Sequence, residues 1–160
     1  MKYHFKNRPN REITNQEEIL RLLKNGKYAT LSLCKNNEPY IVTLSYGYDE
    51  QTNSLYFHCA KEGLKLDFIE VNPRVCATII EDGGYIANEC GHLYKTLVFW
   101  GSIEILSDFD KKKEAIKILL NHLETDTEIK SEKLKSSFSL YENMVVLKLT
   151  ITELHGKAGR

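Results

Sequence analysis

The sequence has no excess of charge of either sign, no long apolar run and no paired-cysteine motif, and each absence removes a class of function. Lys plus Arg number 22 and Asp plus Glu 22, so the formal net charge is zero. No global positive field exists to draw in nucleic acid or an anionic membrane surface. Nowhere do the roughly eighteen apolar residues that a membrane-crossing helix needs run together. The opening MKYHFKNRPNRE is polar and charged, unlike a basic cap followed by an apolar stretch. These absences lead to the expectation of a soluble, unexported, cytoplasmic protein. The four cysteines, Cys34, Cys59, Cys76 and Cys90, form no CxxC pair, which argues against a zinc ribbon or a thioredoxin-type motif. In apolar, strand-like runs they are expected as small buried hydrophobes. A zinc site would need Cys59, Cys90, His58 and His92 to converge, and only Cys90-Gly91-His92 is compact in sequence. Repeats and low-complexity segments are also missing, and 160 residues fit one domain with its own core.

What is present reads as a run of strands punctuated by short helices. Thr14-Asn15-Gln16-Glu17 has the form of a capping box, Ile19, Leu20, Leu22 and Leu23 follow at helical spacing, and Gly26 stands where a C-terminal cap belongs. Tyr28 to Cys34 alternates, Lys35 to Glu38 supplies a turn, and a strand from Tyr40 to Tyr48 completes a hairpin. Asp49 to Ser54 is a second polar turn, and Leu55 to Ala60 is a third strand, rich in aromatics. A helix is predicted from Leu64 to Val71, with Leu64, Phe68 and Val71 on one side and Leu66 and Ile69 flanking; Asn72-Pro73 ends it. Val75 to Ile80 reads as a buried strand broken by Gly83-Gly84, and Tyr85 to Tyr94 is irregular. Lys95 to Ser107 is a long strand in which Gly101 marks a bend, a bulge or a close approach. A longer helix carries Phe109, Ile116, Leu119, Leu120 and Leu123 inward, and Lys111, Lys112, Lys113 and Lys117 outward as a solvated face interleaved with acids. Thr125 to Leu140 is polar and unpatterned, and Met144 to Leu154 alternates as a half-buried final strand. About six antiparallel strands with few helices predict a mainly β protein, a small antiparallel barrel with helices packed outside, since a closed barrel leaves no edge exposed.

The stretch from Pro39 to Pro73 carries the functional signal. A loop with Lys61, Gly63 and Lys65 feeds a helix start, where free backbone N–H groups and the helix dipole favour an anion such as phosphate. Lys near a helix start is common on any surface, so the chemistry alone leaves an ordinary solvated loop as the alternative. His58 is open in the same way, since a strand His bonded to a backbone carbonyl is as compatible with its position as a functional imidazole.

In order and spacing, Pro39-Tyr40 followed by Tyr46, then Leu55-Tyr56-Phe57-His58, Gly63-x-Lys65 leading into Asn72-Pro73, and Phe99-Trp100-Gly101-Ser102-Ile103 resemble the pyridoxamine 5′-phosphate oxidase-like, FMN-binding split-barrel family, in the branch related to nitroimidazole-resistance proteins. The likeness covers Arg8 to Lys157. It implies a six-stranded split barrel, a two-fold homodimer, and a flavin in each cleft between subunits. Carried over by position, Thr43, Leu44, Ser45 and Tyr46 would run along the flavin ring and ribityl chain. Phe57, His58, Cys59 and Ala60 would lie near the ring or ribityl phosphate, and Gly63, Leu64 and Lys65 at the phosphate. Trp100 and Gly101 would approach the isoalloxazine, with the partner subunit as one source of that contact. Lys157 falls in a Gly-Lys ending common in the branch. His58 is the implied catalytic residue, orienting ring or substrate and moving a proton. FMN is the implied cofactor, with FAD in its place or haem or a deazaflavin in the same barrel as alternatives; no metal site is implied. The implied activity is reduction of small electron-poor molecules such as nitroaromatics, with a flavin carrier or sensor without turnover as the alternative. The phosphate-binding arginines of pyridoxamine-phosphate oxidases are not evident at the C-terminus, where Arg160 stands alone, so pyridoxamine phosphate is not the expected substrate.

Overall fold

The computed structural model describes residues 9–126, 128 and 143–159. Most of the polar segment 125–140, together with Arg8 and Arg160, therefore lies outside the described residues. After a 3-10 turn at Pro9–Arg11, the elements are β1 (Glu12–Ile13), α1 (Gln16–Asn25), β2 (Tyr28–Lys35), β3 (Glu38–Ser45), β4 (Gly47–Asp49), β5 (Ser54–Cys59), α2 (Leu64–Val71), β6 (Arg74–Ile86), β7 (Gly91–Leu106), α3 (Phe109–Leu123) and β8 (Val145–Gly159).

The strands form one antiparallel sheet in the order β3-β2-β6-β7-β8-β5-β4, with β1 added alongside β8. Its two ends, β3 and β4, are consecutive in the chain and separated only by Tyr46; counted as one interrupted strand, they close the sheet on itself as a six-stranded barrel, as the sequence predicts. The alternation of Leu31 and Leu33 on β2, Leu55 and Phe57 on β5, Ala77 and Ile79 on β6, and Leu147 and Leu149 on β8 turns these residues inward. The β2–β3 connection is a two-residue turn with Asn36 at φ 50° and Asn37 at φ 67°, left-handed values that suit the twist of a hairpin and that Asn tolerates.

The helices plug and cover. α1 sends Leu22 and Leu23 into the core. Its cap is Asn15, whose Oδ1 accepts from the N–H groups of Glu17 and Glu18 at 2.8 and 3.2 Å, one residue beyond the predicted capping Thr14. Gly26 does follow the helix, but with φ −61°; a side chain there would meet Tyr46 Oη and Ile79, so close approach requires the glycine. α2 has the predicted bounds but buries Leu66, Phe68 and Ile69, whereas Leu64 and Val71 are exposed. Phe68 packs on Tyr40 of β3 with ring centroids 5.2 Å apart. α3, capped by Asp108 accepting from Lys111 N–H at 2.9 Å, covers the outer faces of β5 and β8 through Ala115, Ile116 and Leu119 against Tyr56 and Val146.

Two expectations are corrected in the second half. Gly83-Gly84 does not end a strand: β6 continues to Ile86 through a bulge between Asp82 and Gly84 and pairs with β7 down to Ile86↔Gly91, so the stretch read as irregular is a hairpin. The cysteines are not core residues either, since Cys34 and Cys90 are exposed and Cys59 and Cys76 half-buried. Alternation that turns Leu31 and Leu33 inward turns Cys34 out, and Cys90 sits in the hairpin turn at φ 47°. Among the described residues no group of three or more His, Cys, Asp or Glu side chains could hold a metal ion, and no helix is long and apolar enough to cross a membrane.

Candidate functional site

The barrel opens along one seam. β4 pairs with β5 through Asp49↔Ser54, Tyr48↔Leu55 and Gly47↔Tyr56. The same register continued would set Ser45 opposite His58 and Thr43 opposite Ala60, but β3 pairs only with β2, and His58 and Cys59 pair only with Val146 and Val145 of β8. Tyr46 marks the divergence. Its ring turns into the core, its hydroxyl donates to the Leu23 carbonyl at 2.7 Å, and its N–H reaches the Lys27 carbonyl at 3.4 Å. Burial pushes its phenol well above the usual range. Tyr46 and Gly47 are both buried, so the in-out alternation slips by one residue and the strand leaves its neighbour.

α2 begins after the four residues that follow β5. Gly63 precedes it at φ 144°, a backbone conformation that other residues rarely adopt, and it offers no side chain to cap the helix. Lys65 folds back over this start: its Nζ lies 3.3 Å from the position a Cβ on Gly63 would take. Burial raises the half-buried Cys59 thiol above its ordinary range while the nearby Lys65 charge opposes the shift, so the ammonium also acts on the end of β5. Lys61 donates to Asn143 Oδ1 at 3.2 Å. A helix N-terminus without a side-chain cap, an ammonium beside it and a glycine with no Cβ in the way together suit a phosphate.

Of the residues singled out in the sequence, Thr43 and Ser45 lie on β3 and His58 on β5, the two borders of the seam, and Ala60, Gly63, Leu64 and Lys65 lie between the end of β5 and the first turn of α2, where Leu64 is exposed. His58 pairs through its backbone with β8, and its side chain is exposed. Tyr46 and Phe57 are fully buried, and Leu44 and Cys59 pack against the core; these four side chains line the interior, leaving only their backbone for the seam. Gly101 is buried at a bulge between β7 and β8, and its lack of a Cβ admits the Thr150 carbonyl. Trp100 does not meet the seam within one chain. It lies on the outer face of β7, beyond β2 and β6, in the row Ile41, Ser32, Cys76, Trp100.

That outer face is the part sequence reasoning missed. Thr43, Thr30, Thr78 and Val98 form the next row, in which the hydroxyls of Thr30 and Thr43 lie 2.9 Å apart and Thr78 Oγ1 donates to the Leu97 carbonyl. With Tyr28, Ile41 and Ile80 exposed to 64, 65 and 62 %, four strands present a surface without a charged side chain from Tyr28 to Ser32, Ile41 to Ser45, Cys76 to Ile80 and Thr96 to Trp100. The signal available was the hydroxyl-rich alternate face of YATLSLC. At its far edge His155 meets Trp100 edge-on at 6.1 Å and bonds Glu153 at 2.9 Å.

A closed six-stranded antiparallel sheet, opened along one seam and plugged by a short helix, defines a split-barrel protein. A family model described as pyridoxamine 5′-phosphate oxidase matches residues 15–158, and the chain belongs to that family. Its fold is shared with a candidate 5-nitroimidazole antibiotic resistance protein from Bacteroides thetaiotaomicron, at 21 % identity and TM-score 0.79 over 92 % of this chain and 86 % of the other. An FAD-binding protein from Mesorhizobium loti is similar at 23 % identity and TM-score 0.69, over 94 and 98 % of the two chains. An FAD and haem binding protein from Mycobacterium smegmatis is similar at 17 % identity and TM-score 0.78, over 94 and 74 %. No curated protein matches the chain.

Proposed function

We propose that the protein is a flavin-binding oxidoreductase that holds FMN, works as a homodimer in the cytoplasm and reduces small electron-poor organic molecules such as nitroaromatics. The observation that carries this reading is the uncapped start of α2 at Gly63, with Lys65 Nζ folded over it, at the open seam between β3 and β5. In this reading Gly63, Leu64 and Lys65 bind the phosphate, and the hydroxyls of Thr43 and Ser45 orient the polar edge of the ring system. When bound, the flavin supplies hydride chemistry, accepting electrons from a reduced carrier such as NAD(P)H and passing them to the acceptor. His58, exposed at the seam, holds or donates a proton at its imidazole to the reduced acceptor.

The homodimer is supported by the uncharged outer face and by Trp100, which β2 and β6 separate from β3 and β8 separates from β5, and which would serve the seam of a second copy. Four free thiols, two of them exposed, suit a reducing compartment. Of the three histidines that haem could use in this barrel, His92 and His155 are engaged by Asp82 and Glu153, which leaves His58 as the axial candidate.

The test is the visible spectrum of purified protein, identification of the chromophore released on denaturation, and then turnover with NAD(P)H. Flavin bands with FMN released, and reoxidation of the reduced protein by nitro and quinone compounds faster than free FMN, are expected. Flavin without such reoxidation removes the reductase and leaves a carrier; FAD released instead corrects the cofactor; a Soret band, or failure to bind added FMN, overturns the flavin reading.

A further inference from the structure

A cavity lies between α3 and the outer face of the barrel. Tyr56 on β5, Lys148 on β8 and Glu104 on β7 stand in one cross-strand row, through the pairs Tyr56↔Lys148 and Lys148↔Glu104. α3 covers this row with Lys111, Glu114 and Ala115, which share a helix face at i, i+3 and i+4. The cavity between them has a volume of about 210 Å³, below the roughly 300 Å³ at which pockets for drug-sized ligands begin.

Two groups that line it are short of partners. Tyr56 is only 8 % exposed, yet its hydroxyl has no hydrogen-bond partner among the described residues, whereas a buried phenol ordinarily finds one. A phenylalanine would pack under α3 equally well, so the fold itself makes no use of this hydroxyl. The Lys148 side chain is 24 % exposed, and its ammonium stands 3.6 Å from the Glu104 carboxylate, beyond hydrogen-bond length. Glu114 meets Lys117 no closer, at 3.7 Å.

The charges define the ligand. Lys111 and Lys148 balance Glu104 and Glu114, which disfavours a phosphate or other polyanion and suits a neutral molecule with separated charges. The Tyr56 hydroxyl and the Lys148 ammonium both donate and suit a carboxylate, while Glu104 and Glu114 accept and suit an ammonium. Leu106 and Ala115 supply an apolar wall for a short aliphatic group.

We propose that this cavity binds a small free amino acid, its carboxylate held by Tyr56 and Lys148 and its ammonium by Glu104 and Glu114. It uses none of the residues assigned to the flavin, so its test is independent of that reading.

The experiment is calorimetric titration of the full chain with L-valine, alongside isovalerate, which lacks the ammonium, and isobutylamine, which lacks the carboxylate. Valine is expected to bind at millimolar concentration or below and to raise the melting temperature, with each analogue weaker by about tenfold or more. Tyr56→Phe should weaken valine by about tenfold and leave the melting temperature of the unliganded protein unchanged or higher, since no hydrogen bond within the protein is lost. Glu104→Gln alters an exposed side chain and keeps the test if Tyr56→Phe fails to fold; it should weaken valine and leave isovalerate unchanged. Failure of millimolar valine to bind, leaving water alone in the cavity, overturns the site. So does an analogue that binds as tightly as valine, or a folded variant of either kind that binds valine like wild type.

Discussion

Gly47 and Tyr56 form the last rung across the barrel's closing seam. On its other side Gly47 touches α3 so closely that an added Cβ would come within 2.6 Å of Leu119 Cα and 2.7 Å of its backbone N. Backbone atoms cannot swing aside as a side-chain end can. Gly47→Val should therefore push α3 off the strand pair and cost about 1–3 kcal/mol, the range for overpacking. A urea melt with an unchanged midpoint would contradict the tight contact.

Lys65→Ala should weaken FMN binding by about 1.5–3 kcal/mol, the scale of a charge-assisted hydrogen bond to phosphate. Fluorescence titration with FMN reads this directly. Riboflavin, which lacks the phosphate, should bind wild type and variant alike; equal losses for both ligands would locate the phosphate elsewhere.

Tyr46→Phe separates core from site. It removes the 2.7 Å bond to the Leu23 carbonyl and leaves that acceptor without its phenol donor, at a cost of about 1–3 kcal/mol. Because the ring lies fully inside the barrel, FMN affinity at native temperature should not change. An affinity loss larger than the stability loss would bring Tyr46 back to the ligand.

Two titrations set two pH windows for stability. His122 donates from Nε2 to the Gly26 carbonyl at 2.6 Å and accepts from Tyr48 N–H on Nδ1 at 3.4 Å. Burial holds its imidazole below the ordinary 6.5, opposed by the Gly26 bond. The unfolded chain binds the proton more readily, so this contribution is complete above about pH 6.5 and is lost as pH falls towards the lower folded value. Glu18, held at about 2 by hydrogen bonds from Arg21 and Lys95 rather than at 4.5, contributes above 4.5 and loses that contribution between there and about 2. Urea midpoints measured across these ranges should fall in two steps. His122→Gln should remove the upper step, and Glu18→Gln should shrink the lower, to which Glu81, held down by the same Arg21, also contributes.

How much of this was legible follows from how local each cause is. α2 could be bounded from sequence because Gly63 and Asn72-Pro73 act on the backbone where they stand. Its buried side could not, because a short helix plugging a barrel end is oriented by what it meets, and Phe68 meets Tyr40 on a distant strand. The six strands were legible from alternation, but the slip at Tyr46 was not, since it depends on Leu23 of α1. The β6–β7 hairpin escaped notice because its glycines and polar residues carry no periodicity, and its pairing is held by Asp82 reaching both Gly84 and His92. The resemblance grouped Trp100 with the seam residues, yet β2 and β6 separate it from β3 and β8 separates it from β5, and sequence order alone does not show such separations.

The last strand of the barrel carries a consequence for biosynthesis. β8 pairs with β1, β5 and β7, so every one of these strands leaves the ribosome before the strand it must join. Until β8 emerges, β5 and β7 each expose an edge, and the barrel cannot close around its core. Every ladder that β8 makes joins residues far apart in sequence, which makes folding slow and the waiting chain prone to pair with its neighbours. Yield on expression should accordingly depend on synthesis rate and temperature more steeply than the stability of the finished barrel would suggest.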